Sequence, residues 1–197
     1  MWKIGLTGSI ATGKSTVLQS FADLGVPVFS SDDAVHELYR GEAVPVVERL
    51  FPGVINRGEV DRTRLSAALL AAPARLSELE AAIHPLVRRK IADFLAAEEQ
   101  KGSPLAIVDI PLLFEAGFDH GLDRVALTMV DQATQRQRVL ARPGMSVEKL
   151  EAILARQMPQ AEKRRRADYV FDTSGPIERT RAEVAALVAA LRATPKA

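Results

Sequence analysis

The sequence predicts an α/β protein of three layers, in which helices cover both faces of a parallel central sheet. Short apolar runs alternate with longer segments of helical periodicity along the 197-residue chain. The runs are almost wholly apolar, as strands are when both faces of their sheet are covered. These predicted strands lie at residues 3–7, 26–29, 105–110, 125–130 and 169–171. Such sheets bind ligands beyond the carboxyl ends of the strands, so functional residues are expected there.

A glycine-rich loop follows the first predicted strand. Residues 8–15 match the pattern G-x-x-x-x-G-K-[ST] at every specified position. In this pattern backbone N–H groups surround a phosphate, the lysine reaches the β- and γ-phosphates, and the last hydroxyl, here Ser15, ligates Mg²⁺. A helix that begins near Gly13 adds its positive N-terminal dipole. The sequence therefore predicts a P-loop NTPase-type fold. Its nucleotide site is expected to contain Gly8, Ala11, Thr12, Gly13, Lys14, Ser15 and Thr16.

The composition restricts the function classes. Lysine plus arginine number 26 and aspartate plus glutamate 25, so the net charge of +1 gives no general attraction to nucleic acid or to a membrane surface. The chain has no cysteine, and His36, His84 and His120 lack the close spacing of a zinc site. No apolar run approaches the ~20 residues of a membrane span. We expect a cytoplasmic protein without nucleic-acid or membrane partners, and its oligomeric state is left open.

A helical insertion is predicted after the second strand. No clear strand occurs between residues 31 and 102. The helical stretches lie at residues 33–40, 62–72 and 75–100, and the breaks between them at Pro45, Pro52-Gly53 and Arg57-Gly58. We expect residues 32–102 to form a helical lobe, inserted into a core made of residues 1–31 and 103–197.

A helical lid is predicted within the core at residues 138–166. Ser146 is placed to cap a helix that runs to residue 166, after the turn at Pro143-Gly144. Arginine binds phosphate oxygens in pairs, so Arg138 and Arg142, which precede this turn, are expected to contact ATP. For the basic residues at 163–166, the alternative is a solvated helix face. A final helix is predicted to begin near Pro176.

Acidic residues at two predicted strand ends suggest phosphoryl transfer. The Asn-Lys-x-Asp sequence that reads guanine is absent, which favours ATP. Asp32 and Asp33 follow the second strand, where one of them could orient an attacking hydroxyl or accept its proton. The alternative is that they cap the next helix.

Three further residues are candidates for the site. Asp109 closes the apolar run 105–108, the pattern of a Walker B strand whose carboxylate holds Mg²⁺ directly or through water. Its alternative is a loop cap, and Glu115 is a second candidate acid. His84 precedes Pro85, which is predicted to kink or end its helix. An isolated histidine of this kind is more typical of packing than of ligand binding.

Together these residues resemble the dephospho-coenzyme A kinase family along nearly the whole chain. The discriminating pieces are His84-Pro85 and the run Pro-Leu-Leu-Phe-Glu at residues 111–115, because many families share the phosphate loop. Further similarity lies at residues 4–8, 21–25, 138–142 and 167–172. The resemblance implies Mg²⁺-dependent transfer of the ATP γ-phosphate to the ribose 3′-hydroxyl of dephospho-coenzyme A, the last step of coenzyme A biosynthesis.

The resemblance also implies roles for individual residues. Lys14, Asp32 and Arg142 are implied as catalytic, with Asp32 as the base or hydroxyl-orienting group. His84 and Asp32 are implied to contact the acceptor from the lobe.

This chain departs from the family pattern at three places. Ser30-Ser31-Asp32 stands where the family commonly has Asp-Ala-Asp, Ala11 stands where many members have glycine, and residues 173–175 read Thr-Ser-Gly where asparagine is frequent. Two alternatives stay open: a nucleoside or nucleotide kinase of the same architecture, and a non-catalytic nucleotide switch.

Overall fold

The computed structural model describes residues 1–115, 121–194 and 196, so His120 lies outside the described residues. The chain divides into two compact units. The core unit comprises Met1–Phe29 and Leu95–Ala197, and the inserted unit comprises Ser30–Phe94. The sequence places the lobe at 32–102, so the inserted unit begins two residues earlier and ends eight residues earlier than expected. None of the helices in the described ranges combines the length and apolarity needed to cross a bilayer.

The elements alternate between strand and helix at the two ends of the chain. The strands are β1 (Trp2–Gly8), β2 (Val28–Ser30), β3 (Ile55–Asn56), β4 (Glu59–Val60), β5 (Leu105–Asp109), β6 (Arg124–Met129) and β7 (Tyr169–Asp172). The helices are α1 (Lys14–Asp23), α2 (Ser31–Leu38), α3 (Val44–Leu50), α4 (Arg62–Ala71), α5 (Leu76–Gln100), α6 (Gln132–Leu140), α7 (Val147–Leu154), α8 (Gln160–Arg166) and α9 (Ile177–Ala193).

Five strands form the central sheet in the order β2-β5-β1-β6-β7. The pairs β1–β5, β1–β6 and β6–β7 are parallel. Every residue of β5 is buried, which requires cover on both faces of the sheet. The predicted α/β fold with a parallel central sheet is therefore confirmed. β1 lies in the middle of the order, and its carboxyl end is where an open α/β sheet binds ligands.

The apolar core holds β1 and α1 together. Ile4 and Leu6 of β1 belong to one buried cluster with Val17 and Phe21 of α1. Phe21 also meets Phe171 of β7 edge to face, with ring centroids 6.1 Å apart. Since β1 and α1 are both fixed by this cluster, the loop that joins them is held at both ends.

The inserted unit contains a β-hairpin, so the prediction that it lacks strands is wrong. β3 and β4 pair in antiparallel fashion around Arg57 and Gly58, whose φ angles are 52° and 84°. Two successive left-handed residues are what a tight hairpin turn requires. Strands of two residues are too short to produce an alternating pattern. Helix α3 was also not predicted, although Pro45 in its first turn is a residue that helices accept there.

Helix α5 contains Pro85 and agrees with the helical stretch predicted at residues 75–100, so of the two outcomes predicted for this proline, a kink or an end, the helix does not end there. Ile83, Val87 and Ile91 are buried at a spacing of four residues along α5. Burial of this continuous face outweighs the loss of one backbone hydrogen bond at the proline.

The predicted lid consists of separate helices. Ser146 caps α7 by accepting a hydrogen bond of 3.3 Å from Lys149 N, as predicted. However, α7 ends at Leu154 and α8 begins at Gln160, so the single helix predicted to residue 166 is wrong. Pro159 lies at the N-cap of α8, and the residue before a proline disfavours the helical conformation.

Candidate active site

The phosphate loop joins the carboxyl end of β1 to the first turn of α1. Gly13 is the N-cap of α1, with a φ of 80° and no side-chain cap. The left-handed φ favours glycine, and the uncapped helix start leaves its N–H groups for an anion. Ala11 also has a left-handed φ, of 60°. For a residue with a Cβ atom this conformation costs about 1 kcal/mol or more. This cost explains why many family members have glycine at this position.

Threonines pack tightly around the start of the loop. The hydroxyl of the buried Thr12 donates to Ser9 O at 2.8 Å. The same oxygen lies 2.7 Å from Thr128 Oγ1 and forms a hydrogen bond with it, in which either hydroxyl can be the donor. A Cβ atom on Gly8 would collide with the hydroxyls of both threonines. Glycine is therefore required at position 8 by close approach, because β6 supplies Thr128 directly beside the loop.

Thr173 connects the loop to the end of β7. Its hydroxyl donates to Thr12 O at 2.9 Å and accepts from Arg138 Nη1 at 3.1 Å. Arg138 Nη2 donates to Thr173 O at 2.7 Å. Arg138 was expected to contact ATP from the lid, but its guanidinium is half-buried and holds Thr173. This bonding favours a role in positioning the phosphate loop.

Removing the Thr173 hydroxyl is expected to destabilise the protein. Thr173→Val keeps the shape but leaves the Thr12 carbonyl without this donor and Arg138 without this acceptor. We expect the free energy of unfolding to fall by about 1–2 kcal/mol in urea denaturation.

Thr173→Ser is the matched control, because it keeps the hydroxyl and should stay within about 0.5 kcal/mol of the parent. A valine variant as stable as the serine variant would show that these hydrogen bonds contribute nothing measurable.

Lys14 and Asp109 form an ion pair at the carboxyl edge of the sheet. Lys14 Nζ donates to both carboxylate oxygens of Asp109, whose side chain is 5% exposed. Asp109 is placed there because its Cα pairs with that of Leu6, near the end of β1. The Walker lysine and the predicted Walker B acid therefore meet in one site.

Ser15 and Asp109 provide a donor set that fits Mg²⁺. Ser15 lies exposed in the first turn of α1, immediately after the lysine that holds Asp109. Hydroxyl and carboxylate oxygens are hard ligands, and Mg²⁺ usually takes only one or two protein ligands beside phosphates and waters. Among the described residues, no cluster of three or more acidic or histidine side chains forms a separate metal site.

Asp32 does not cap α2, so the capping alternative for the acidic pair is wrong. Ser30 is the N-cap, and its hydroxyl accepts from Asp33 N at 3.2 Å. Asp32 lies in the first turn with an exposed carboxylate, and no side chain in the described ranges pairs with it. Ser30, which stands where the family commonly has the first acid, thus performs the capping and leaves the Asp32 carboxylate available.

His84 is exposed on α5, which excludes the packing alternative for this histidine. In the described part of the chain its ring forms no hydrogen bond or ion pair. His84 and Asp32 belong to the inserted unit, whereas Lys14, Ser15 and Asp109 belong to the core unit.

The basic residues of the predicted lid have different environments. Arg142 is exposed in the turn after α6, and none of the described carboxylates forms an ion pair with it. Arg164, Arg165 and Arg166 are exposed, but Lys163 is fully buried, so the solvated-face alternative fails for that residue. Lys163 Nζ lies 2.8 Å from Glu115 Oε1, which also accepts from Met158 N at 2.8 Å. Glu115 therefore holds α8 and the chain before it.

Two exposed carboxylates keep negative charge at the ends of β6 and β7. The hydroxyl of Thr134 lowers the pKa of Asp131, and the hydroxyl of Ser174 lowers the pKa of Asp172. Asp131 also caps α6 by accepting from Thr134 N at 2.9 Å. Both groups are therefore ionised at neutral pH, and Asp131 fixes the start of the helix that carries Arg138.

Sequence reasoning missed Thr128 and the glutamines that contact the loop. Thr128 lies inside the apolar run at residues 125–130, which resembles any buried strand, and its role depends on the pairing of β6 with β1. Gln135 and Gln157 contact Ile10, but each is more than a hundred residues from it along the chain. No spacing pattern in the sequence marks such a contact.

Comparisons with known proteins indicate one family along nearly the whole chain. The family model described as "Dephospho-CoA kinase" matches residues 2–179. A protein of Mesorhizobium japonicum named dephospho-CoA kinase is 53% identical over 189 residues, which cover 96% of each chain. A relative of the same name from Rhodopseudomonas palustris is 49% identical over 193 residues, which cover 98% of this chain and 97% of the relative.

Solved structures share the fold. The crystal structure of TT1252 from Thermus thermophilus superposes with a TM-score of 0.80 at 36% identity, covering 96% of this chain and 97% of that one. A shikimate kinase from Bacteroides thetaiotaomicron, at 18% identity and a TM-score of 0.56, covers 95% of this chain and 98% of its own, and it shares the fold alone. With the phosphate loop, the Lys14–Asp109 pair and a family match along residues 2–179, the chain belongs to the dephospho-CoA kinase family.

Proposed function

We infer that this chain transfers the γ-phosphate of ATP to the ribose 3′-hydroxyl of dephospho-CoA and releases CoA and ADP. The observation that carries this function is the family match along residues 2–179, which includes the phosphate loop and Asp109. The reaction completes the biosynthesis of CoA. The chain has no cysteine, which suits a reducing compartment, and we place the enzyme in the cytoplasm.

In the proposed reaction, the core unit binds the phosphate donor. The loop N–H groups that are not bonded within the protein and those at the start of α1 are proposed to face the phosphates, and Lys14 is proposed to compensate the charge on the β- and γ-phosphates. Ser15 and Asp109 would hold Mg²⁺, which supplies further charge neutralisation at the phosphates. Since Lys14 is bonded to Asp109, the lysine lies at the edge of the sheet where the donor phosphates are expected.

The inserted unit is proposed to supply the acceptor side. Asp32 orients the 3′-hydroxyl and takes its proton while the hydroxyl oxygen bonds to the γ-phosphorus. The bond from that phosphorus to the oxygen that bridges the β- and γ-phosphates breaks, and ADP leaves. His84 is proposed to contact the acceptor, and the exposed Arg142 is proposed to approach the transferred phosphoryl group from the lid.

The activity is tested with the purified chain, ATP, Mg²⁺ and dephospho-CoA. We expect CoA and ADP to appear in equal amounts by liquid chromatography, and ADP to form far more slowly without the acceptor. A panel of adenosine, AMP and shikimate examines the alternative of a different small-molecule kinase. Activity with one of these and none with dephospho-CoA would overturn the proposal. ATP binding without acceptor-stimulated ADP release would instead indicate a nucleotide switch.

A further inference from the structure

Both backbone polar groups of Ile10, inside the phosphate loop, are bound by side chains from outside the loop. Ile10 N donates to Gln157 Oε1 at 3.1 Å. Gln135 Nε2 donates to Ile10 O at 2.8 Å. Gln135 is buried on α6, and Gln157 lies between α7 and α8. The two contacts therefore connect the loop to the predicted lid and to the helix before it.

The direction of each hydrogen bond is determined by chemistry. A backbone N–H only donates, so Gln157 must present its oxygen, and a carbonyl only accepts, so Gln135 must present its amide N–H. Gln135 Oε1 then accepts from Gln160 Nε2 at 3.1 Å, and Gln160 Oε1 accepts from Val130 N at 3.3 Å. We call Gln135, Gln157 and Gln160 the glutamine network.

The network acts on a peptide that carries backbone strain. The Ile10 carbonyl and the Ala11 N–H belong to one planar peptide group, so a bond that holds the carbonyl also sets the direction of the N–H. Ala11 has a φ of 60°, which residues other than glycine rarely adopt. Without the bond from Gln135, rotation of this peptide would relieve the strain at Ala11, and the Ala11 N–H would change direction with it.

The segment that carries Gln157 is itself held in place. Its neighbour Met158 donates its backbone N–H to Glu115, and Glu115 pairs with the buried Lys163 of α8. The three glutamines also line the same cavity, so side chains of similar length are accommodated there. All of these residues lie in the core unit.

We propose that Gln135 and Gln157 are positioning residues for ATP, because Gln135 holds the Ile10–Ala11 peptide and Gln157 holds the preceding Ser9–Ile10 peptide, so that the Ala11 N–H stays in the phosphate-binding direction. They act through the loop and do not touch the substrate. The inference rests on the proposed kinase function of the same site. In this proposal the segment between α7 and α8 contributes to the donor site through Gln157, although no motif in the sequence marks that segment.

Substitutions by glutamate test the bond directions. Gln157→Glu keeps an acceptor for Ile10 N–H and should leave the KM for ATP within about twofold of the parent, whereas Gln157→Met should raise it by about fivefold to tenfold. Gln135→Glu replaces the donor by an oxygen that faces a carbonyl, and should raise the KM for ATP by at least as much. The KM for dephospho-CoA should stay unchanged in all three variants. Gln137→Glu, an exposed change of the same charge on α6, is the matched control.

The results separate this inference from the proposed function. The Kd of a non-hydrolysable ATP analogue is measured for each variant, so the pattern is scored even if dephospho-CoA is not the acceptor. If Gln135→Glu does not fold, the comparison of Gln157→Glu with Gln157→Met decides. Equal nucleotide affinity in that pair, or loss of thermal stability with an unchanged KM for ATP, would overturn the proposal.

Discussion

Asp32→Asn is expected to lower the turnover of dephospho-CoA by about 10²-fold or more while the Kd for ATP stays nearly unchanged. Asparagine keeps the size of the side chain and its ability to accept a hydrogen bond, but it takes no proton. Asp32 is exposed in the first turn of α2, and Ser30 performs the capping, so the substitution removes no cap. The measurement is the single-turnover rate with saturating ATP, together with ATP titration of the free enzyme.

Asp33→Asn is the matched control for this prediction. Asp33 is exposed in the same turn and differs from Asp32 by one position, so its side chain points about 100° away around the helix. We expect this variant to turn over within about twofold of the parent. Equal losses in the two variants would show that the charge of the turn matters and that neither carboxylate acts as a base. If neither variant loses much turnover, proton transfer to a carboxylate is not needed and the rate depends on positioning of the substrates alone.

Lys14→Met is expected to lower kcat/KM for ATP by about 10²-fold to 10³-fold. The ammonium group compensates charge that develops as the γ-phosphoryl group leaves ADP, and methionine preserves only the length of the side chain. The variant also removes the positive charge that Lys14 supplies to the buried Asp109 carboxylate, so the free energy of unfolding should fall by ~3 kcal/mol. Steady-state kinetics and urea denaturation measure the two effects separately.

The double variant Lys14→Met with Asp109→Asn separates catalysis from stability. Asparagine removes the buried negative charge that Lys14 no longer compensates, so the double variant should regain most of the lost stability and keep the low activity of Lys14→Met. A double variant that stays as unstable as Lys14→Met would mean that the ion pair is not the source of the loss. Activity of Lys14→Met within about threefold of the parent would mean that Lys14 serves Asp109 alone.

Patterns that lie close together in the chain were predictable. The phosphate loop combines spacing, glycine and a preceding apolar strand within a dozen residues, and the structure places it between β1 and α1. The cap at Ser146 was predictable for the same reason, because a cap involves only the next three residues.

Contacts between distant residues outweigh local preference at several positions. Pro85 is a helix breaker by itself, but the buried face of α5 carries the helix through it. Lys163 looked like part of a solvated basic run, yet Glu115, 48 positions away in the chain, makes its burial tolerable. Arg138 has the chemistry of a phosphate ligand, and the packing adds two bonds to Thr173 that the sequence does not mark, while its contact with ATP stays a prediction.

The sequence by itself determined the fold class, the donor loop and the family, because these depend on residue type, spacing and order along the chain. Only the tertiary structure decided which polar groups are used inside the protein and which are left for a substrate. It assigned Thr173, Gln135 and Gln157 to the loop and left the carboxylate of Asp32 exposed. The physical reason is that a hydrogen bond or an ion pair requires two groups at one place, and for residues far apart in the chain only the packing of the elements brings them there.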